Sequence, residues 1–223
     1  MNVKNRSVIM AIIKPFEEHP DLYEDWFEKN KYVYLSEVKA VGKLLPKNGK
    51  GLEIGVGSGR FAAPLGIKSG VEPSPVMSKI ARQRGITTVD GSAENLPIAS
   101  SSFDFVLMVT TICFLDDVMK SFLEVNRILK NNGQFIIGFV DRNSTIGKEY
   151  EKFKEENIFY KYATFFSTEE ILSFYKKSGF SKFNIAQTVF GKLDEINSIE
   201  PVIDGYGKGS FVVIKGIKIK KTI

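Results

Sequence analysis

One cysteine, one histidine and one tryptophan occur among 223 residues, and each scarcity removes a class of function. A lone Cys113 cannot form a disulfide within the chain, which suits a reducing, cytoplasmic compartment, and a single thiol is most often a small buried hydrophobe. With His19 as the one histidine, a zinc site of His and Cys ligands cannot be assembled from one chain, and no metal is expected. No stretch approaches the roughly 20 apolar residues of a membrane helix. The apolar run Val8 to Ile13 follows a basic start as a signal peptide would. It is too short for a normal hydrophobic region and lacks an A-x-A exit, so it reads as a helical or disordered lead-in.

What is present is ordinary globular material. Hydrophobic residues make up 43% and charged residues 26%, so neither a disordered nor a membrane class is favoured. At about 150 residues per domain, 223 residues give one large domain over 1–223 with room for a cap. Thirty-one basic against 26 acidic residues leave +5, which bears on weak steering and does not demand nucleic acid.

Short apolar runs at Gly51 to Ile54, Gly70 to Glu72, Ile86 to Val89, Phe103 to Val109 and Gln134 to Val140 are bounded by Gly, Asn or Ser and read as strands. Two more are expected near Lys182 to Gln187 and Gly209 to Ile217. Helices fall between several of them. Ser74-Pro75 opens one that Gly85 closes. Asp116 or Asp117 caps the next, which carries Val118, Phe122, Val125 and Leu129 on one face and ends at Asn131-Asn132-Gly133. Ser167 to Glu170 spells a capping box for a helix reaching about Lys177. Strands separated by helices of this length imply right-handed parallel crossovers, hence a three-layer α/β/α sheet, with the last two strands closing as an antiparallel hairpin.

The chemistry concentrates at Gly51-Leu52-Glu53-Ile54-Gly55-Val56-Gly57-Ser58-Gly59, a strand entering a glycine turn and then a helix. Glycines permit positive φ and close approach of a ligand to the peptide plane, and helix N–H groups favour an anion. A dinucleotide fingerprint needs G-x-G-x-x-G, but Arg60 stands where the third glycine belongs. Glu72, ending the second strand, is placed to accept both hydroxyls of a ribose.

Glu53 before the glycines, Gly91-Ser92-Ala93-Glu94-Asn95-Leu96-Pro97, Ser102-Phe103-Asp104-Phe105-Val106 and Leu129-Lys130-Asn131-Asn132-Gly133 follow in an order that resembles the class I S-adenosylmethionine-dependent methyltransferases. The similarity is to the small-molecule, ubiquinone-biosynthesis-like branch (methyltransferase type 11), over about residues 20 to 215. It implies a Rossmann-like, mostly parallel seven-stranded sheet in the order 3-2-1-4-5-7-6, with strand seven antiparallel, and S-adenosylmethionine as cofactor with S-adenosylhomocysteine as product. Carried over, Gly55, Gly57 and Gly59 flank the methionine part and Glu53 lies near its ammonium. Glu72 holds the ribose, and Ser92, Ala93 and Glu94 lie along the adenine, Ser92 standing where the family usually has Asp. Val109 and Thr110 lie beneath the sulfonium with Phe114 nearby. The segment Thr110-Thr111-Ile112-Cys113 lacks the Asn/Asp-Pro-Pro-aromatic run of enzymes that methylate amide or base nitrogens.

Substrate groups are expected over the carboxyl ends of the strands, from an N-terminal helical cap over 1–45 and an insertion over 141–178. Tyr23, Trp26, Phe27, Tyr32 and Tyr34 lie in the first; Tyr150, Phe153, Phe159, Tyr160, Tyr162, Phe165 and Phe166 lie in the second. Most aromatic residues at helical spacing are packing residues; Tyr32 and Tyr34 are the pocket candidates. In-line methyl transfer needs alignment and a dry site, and a base only if the acceptor must lose a proton. Asp141 and Asp116 are placed for that role, against the competing readings of a turn former and a helix cap; His19, next to Pro20, reads as a surface residue. Between the last strands, Asp194, Glu195, Glu200 and Asp204 precede a glycine-dense stretch, so 188–208 is expected to gate or line the acceptor pocket with acids that prefer an amine.

The expected activity is transfer of a methyl group to a small-molecule acceptor by a monomer or homodimer. An RNA methyltransferase using Lys215, Lys218, Lys220 and Lys221 is the alternative, and a non-enzymatic nucleoside-binding module a third. No RNA-binding module accompanies those lysines, which alternate with Ile217 and Ile219 as on a protected edge strand, so nucleic acid is not the expected partner.

Overall fold

The computed structural model describes residues 13–219, so the run from Val8 to residue 12 and the lysines at 220 and 221 lie outside the described residues. The chain begins with helical turns α1 (residues 13–18), α2 (Pro20–Lys29) and α3 (Lys31–Leu44). It then alternates through β1 (Gly51–Ile54), β2 (Ser69–Val71), α4 (Pro75–Gln83), β3 (Thr87–Val89), β4 (Phe103–Val109), α5 (Val118–Ile128) and β5 (Leu129–Val140). After α6 (Thr145–Phe153) and α7 (Thr168–Lys177) come β6 (Phe180–Thr188), β7 (Ile203–Asp204) and β8 (Phe211–Lys218). One sheet holds all eight strands in the order β3-β2-β1-β4-β5-β8-β6-β7. β1 to β5 pair in parallel, and β8 runs antiparallel between β5 and β6. The chain is thus a Rossmann-like α/β fold with the expected strand order.

Strand alternation divides the core into two layers. Val106 and Met108 of β4, with Val212 and Ile214 of β8, face Phe122, Val125 and Ile128 of α5 and Ile171 and Tyr175 of α7. Phe105, Leu107 and Val109, with Phe211 and Val213, face Val33, Ala40, Val41 and Leu44 of α3 and Ala81 of α4. The caps form as their chemistry demands. Ser74 accepts from the Met77 N–H with Pro75 at the first position, Asp117 rather than Asp116 accepts from Lys120 at 2.9 Å, and Ser167 and Glu170 close a capping box.

Several local expectations differ. The glycine turn does not lead into a regular helix: residues 55–66 are successive turns, with α-type bonds only at Ala63→Gly59 and Leu65→Phe61. Pro64 has no N–H to continue the ladder, and Gly66 at φ +74° ends it. α5 stops at Ile128 instead of at Asn131, and Lys130 to Gly133 become an irregularity in β5, whose register against β4 shifts there with Asn132 at φ +60°. An eighth strand, the two-residue β7, extends the sheet beyond β6. Lys215 and Lys218 lie on an interior strand, not an edge, and the Lys218 Nζ donates to the Asn126 and Leu129 carbonyls. Among the described residues no helix is long and apolar enough to cross a membrane.

Candidate active site

Strand order reverses between β1 and β4, and open α/β sheets leave a crevice at that point over the strand ends. A cavity of about 630 Å³ lies there. Its floor is formed by Ile54, Gly55 and Gly57 after β1, Glu72 after β2, Ser92 to Glu94 after β3, and Val109 to Thr111 after β4. Its roof comes from α1, α2, α3, α6 and the segment after α6.

Two features hold the floor open. Gly55 takes φ +64°, and a Cβ there would fall on the Thr111 side chain, whose Oγ1 lies 3.3 Å from the Gly55 carbonyl. Only glycine lets β1 and β4 meet this closely. Thr110 itself takes φ +50° while lining the cavity, a strained conformation of the kind that clusters at ligand sites.

The Glu72 carboxylate is buried and bridges the floor, accepting from the Gly57 N–H at 2.7 Å and the Ser74 N–H at 3.0 Å. Burial pushes its pKa up to about 7, against the downward pull of those two N–H groups. Two oxygens offer about four lone-pair sites and two are used, so capacity remains for hydroxyl donors from a ligand. Beneath it, Glu53 is 2% exposed, and its Oε2 has no partner among the described residues. Burial drives its pKa well above the carboxylate range, only partly offset by an Ala62 N–H, and the nearby Glu72 adds to the rise.

A clamp fastens the roof to the glycine turn. Glu24 of α2 accepts from Arg60 and Arg84, Arg84 also donates to the Ser58 carbonyl at 2.6 Å, and the Tyr34 hydroxyl donates to the Arg60 carbonyl at 2.5 Å. Burial would raise the Glu24 pKa, but the two guanidiniums outweigh it and hold the group below its usual value. The clamp places the Tyr23 hydroxyl 3.2 Å from where a Gly57 Cβ would stand.

Of the expected site residues, the structure brings Gly55, Gly57, Glu72, Ser92, Ala93, Glu94, Val109, Thr110, Phe114 and Asp116 to the cavity. Glu94 also accepts from the Asp116 N–H at 3.0 Å; burial, then Glu94, raises the Asp116 pKa. Others lie elsewhere. Gly59 packs the turn on β3, since a Cβ there would press on Ile86, and Glu53 lies below the lining. Asp141 is not in the lining: its carboxylate accepts from the Asn143 N–H and from the Thr168 N–H and hydroxyl, which ties β5 to the start of α7. Tyr32 is 42% exposed, and Tyr34 is spent on the clamp.

From 188–208 only Leu193 reaches the cavity. Three of the acids there bind the chain itself: Glu200 accepts from the Phe190 N–H, Asp204 pairs with Lys43, and Glu195 pairs with Lys192; Asp194 is not in the lining.

The lining also contains groups that sequence reasoning had assigned to packing or passed over. Tyr23, Trp26, Phe27, Tyr150, Phe159 and Tyr160 face the cavity, and so does Glu37 of α3. Glu37 is 5% exposed, and burial alone pushes its carboxyl up to about 8. A signal for it existed: it stands on the stripe Val33, Ala40, Val41 and Leu44, where helical spacing predicts an apolar residue.

Comparison with known proteins agrees with this geometry. A family model described as a methyltransferase domain matches residues 52–137. An uncharacterised protein of Methanocaldococcus jannaschii is 43% identical over 204 residues, 92% of this chain and 98% of its own. A Thermotoga maritima structure described as a SAM-dependent methyltransferase, possible histamine N-methyltransferase, is 54% identical with TM-score 0.90 over 92% of this chain and 99% of that one. A Haemonchus contortus phosphoethanolamine N-methyltransferase 2, in complex with phosphomonomethylethanolamine and S-adenosylhomocysteine, shares the fold at 18% identity and TM-score 0.61, over 82% of this chain and 52% of that one.

Proposed function

The chain belongs to the class I S-adenosylmethionine-dependent methyltransferases, type 11 branch, and from that premise we propose that it methylates a small organic molecule inside the cavity over β1 and β4. One observation carries the choice of acceptor. The cavity over β1 and β4 offers about 630 Å³ for cofactor and acceptor together, is roofed by aromatic side chains of α1, α2 and α6 and is lined by no Lys or Arg among the described residues, within the range of small-ligand sites and unlike the basic groove that a nucleic acid needs.

The residues present fit the cofactor. Glu72 has free lone pairs for ribose hydroxyls, and the glycine turn lets a ligand approach the backbone. When bound, S-adenosylmethionine supplies a methyl group on a sulfonium, open to in-line displacement. The chain's own part is to align and to exclude water. Val109 and Thr110 present the end of β4, Ser92, Ala93 and Glu94 border the adenine side, and Phe114 and the α2 aromatics close the roof. Residues 13–45 and the 141–178 insertion serve as the cap. A cytoplasmic setting is consistent with Cys113, a buried thiol whose pKa burial lifts to about 12.

The test uses methyl-labelled S-adenosylmethionine with a cell extract separated into low-molecular-mass and RNA fractions. Label is expected in the small molecules. Label confined to RNA would overturn the reading in favour of an RNA acceptor.

A further inference from the structure

The chain carries a net charge of +5, yet the residues lining its cavity include Glu37, Glu72, Glu94, Asp116 and Glu156, with no Lys, Arg or His among the described residues. Three of the five have evident surroundings. Glu72 is engaged by the Gly57 and Ser74 N–H groups, Glu94 accepts from the Asp116 and Asp117 N–H groups, and Glu156 lies at an exposed position. Asp116 is also exposed. Glu37 differs from all of these. It is 5% exposed, projects from α3 into the cavity roof, and no hydrogen bond or opposite charge reaches its carboxylate from the described residues.

A buried carboxyl without a partner costs stability that packing alone would not keep, because a hydrophobic residue would fill the α3 stripe at lower cost. Rings line the same cavity: Tyr150 and Tyr160 lie with centroids 4.8 Å apart, Phe114 stacks on Tyr160, and both tyrosine hydroxyls are within electrostatic reach of Glu37. Aromatic faces and one carboxylate, with no competing cation, form the recognition chemistry of an organic ammonium ion.

Resting on the proposed small-molecule reading, we infer that Glu37 is the acceptor-binding carboxylate and that the acceptor is a small amine, held as its ammonium between Glu37 and the rings of Phe114, Tyr150 and Tyr160. The titratable groups facing Glu37 are the hydroxyls of Tyr34 on its own helix, Tyr150 on α6 and Tyr160 after α6. Burial raises all three, so they stay neutral at physiological pH and cannot replace the cation. Without ligand, Glu37 holds a proton below about pH 8. An arriving ammonium favours the carboxylate and expels that proton to solvent; for methylation at that nitrogen the ammonium must then return a proton to the Glu37 carboxylate, since only the free amine has a lone pair to take the methyl group.

The experiment is calorimetry at pH 7 on the full chain saturated with S-adenosylhomocysteine. The probes are benzylamine, 2-phenylethylamine and butylamine, each set against the alcohol of the same skeleton. At least one amine is expected to bind about tenfold or more tighter than its alcohol, the scale of one charge-assisted hydrogen bond. Its binding enthalpy should vary with the ionisation enthalpy of the buffer, reporting release of close to one proton. Glu37→Gln should remove both the preference and the proton release while leaving S-adenosylhomocysteine affinity within about twofold. Failure of S-adenosylhomocysteine to bind the wild type would sink the methyltransferase site itself. Normal S-adenosylhomocysteine binding with no amine preferred over its alcohol, or with the preference intact in Glu37→Gln, would overturn the Glu37 assignment alone.

Discussion

On the strand side of the cavity the surface is backbone and short groups, Gly55, Gly57, Ala93 and Thr110, with Glu72 fixed by two N–H donors; on the helix side it is long side chains from α2, α3 and α6, with Glu37 unpartnered among them. The strand side is set by the sheet register, and its geometry follows from β1 and β4, between which the strand order reverses. The helix side depends on segments placed across the strand ends by the Glu24, Arg60 and Arg84 clamp. A surface made of backbone can hold a constant ligand part through many sequence changes. One made of side chains can change its ligand with each substitution. On the proposed function, the cofactor belongs with the first and the acceptor with the second.

The largest effect expected is at Gly57. Valine there meets φ +53° and the Tyr23 hydroxyl, so Gly57→Val should abolish S-adenosylhomocysteine binding in calorimetry while the far-ultraviolet circular dichroism persists. Near-native affinity would place the cofactor elsewhere.

Next is the pH dependence of stability, which probes the helix side. Between the ordinary Glu value of 4.5 and about 8, the folded protein keeps a proton on Glu37 that the unfolded chain has released. Unfolding free energy therefore falls as pH rises through that window, by up to about 1.4 kcal/mol per pH unit for this proton. Glu53 and Glu72, also raised by burial, act in the same direction. Glu37→Gln should flatten the decline in urea titrations across that range; an unchanged slope would mean that Glu37 is ionised in the folded protein.

Glu72→Ala should weaken S-adenosylhomocysteine by about 1.5 to 3 kcal/mol through lost charge-assisted hydrogen bonds, measured in the same calorimeter. Asp141→Ala should show the opposite pattern, with stability reduced by about 1 to 3 kcal/mol because the Thr168 N–H and hydroxyl lose their acceptor, and cofactor affinity unchanged. A large loss of cofactor affinity in that variant would return Asp141 to the site. Least of all, Tyr32→Ala should move neither quantity beyond about 0.5 kcal/mol.

The same contrast explains what could be read in advance. The residues of the floor were legible because each depends on neighbours in sequence: a strand, a turn that needs positive φ, an acid at the next strand end; the strand order was legible only through the resemblance of the ordered motifs to a known family. Glu37 left only a partial signal, an acid on the apolar stripe of α3; that it faces a cavity shared with Tyr150 and Tyr160, more than a hundred residues away, is set by the tertiary fold. Tyr150 and Tyr160 are not distinguishable from Tyr32 and Tyr34 in the sequence, which shows that a segment is aromatic without showing which face of it turns inward. The missing helix after Gly59 was available in Pro64 and Gly66, whereas β7 is two residues long and carries no periodicity to detect.

A crystal structure of the full chain with S-adenosylhomocysteine tests the division of the cavity most directly. The account predicts the nucleoside on the strand side, its ribose hydroxyls on Glu72 and its amino acid part over Gly55 and Gly57, with the space beside Glu37, Tyr150 and Tyr160 left free of it. Density for the nucleoside against Glu37 and Tyr150, with Glu72 untouched, would contradict it.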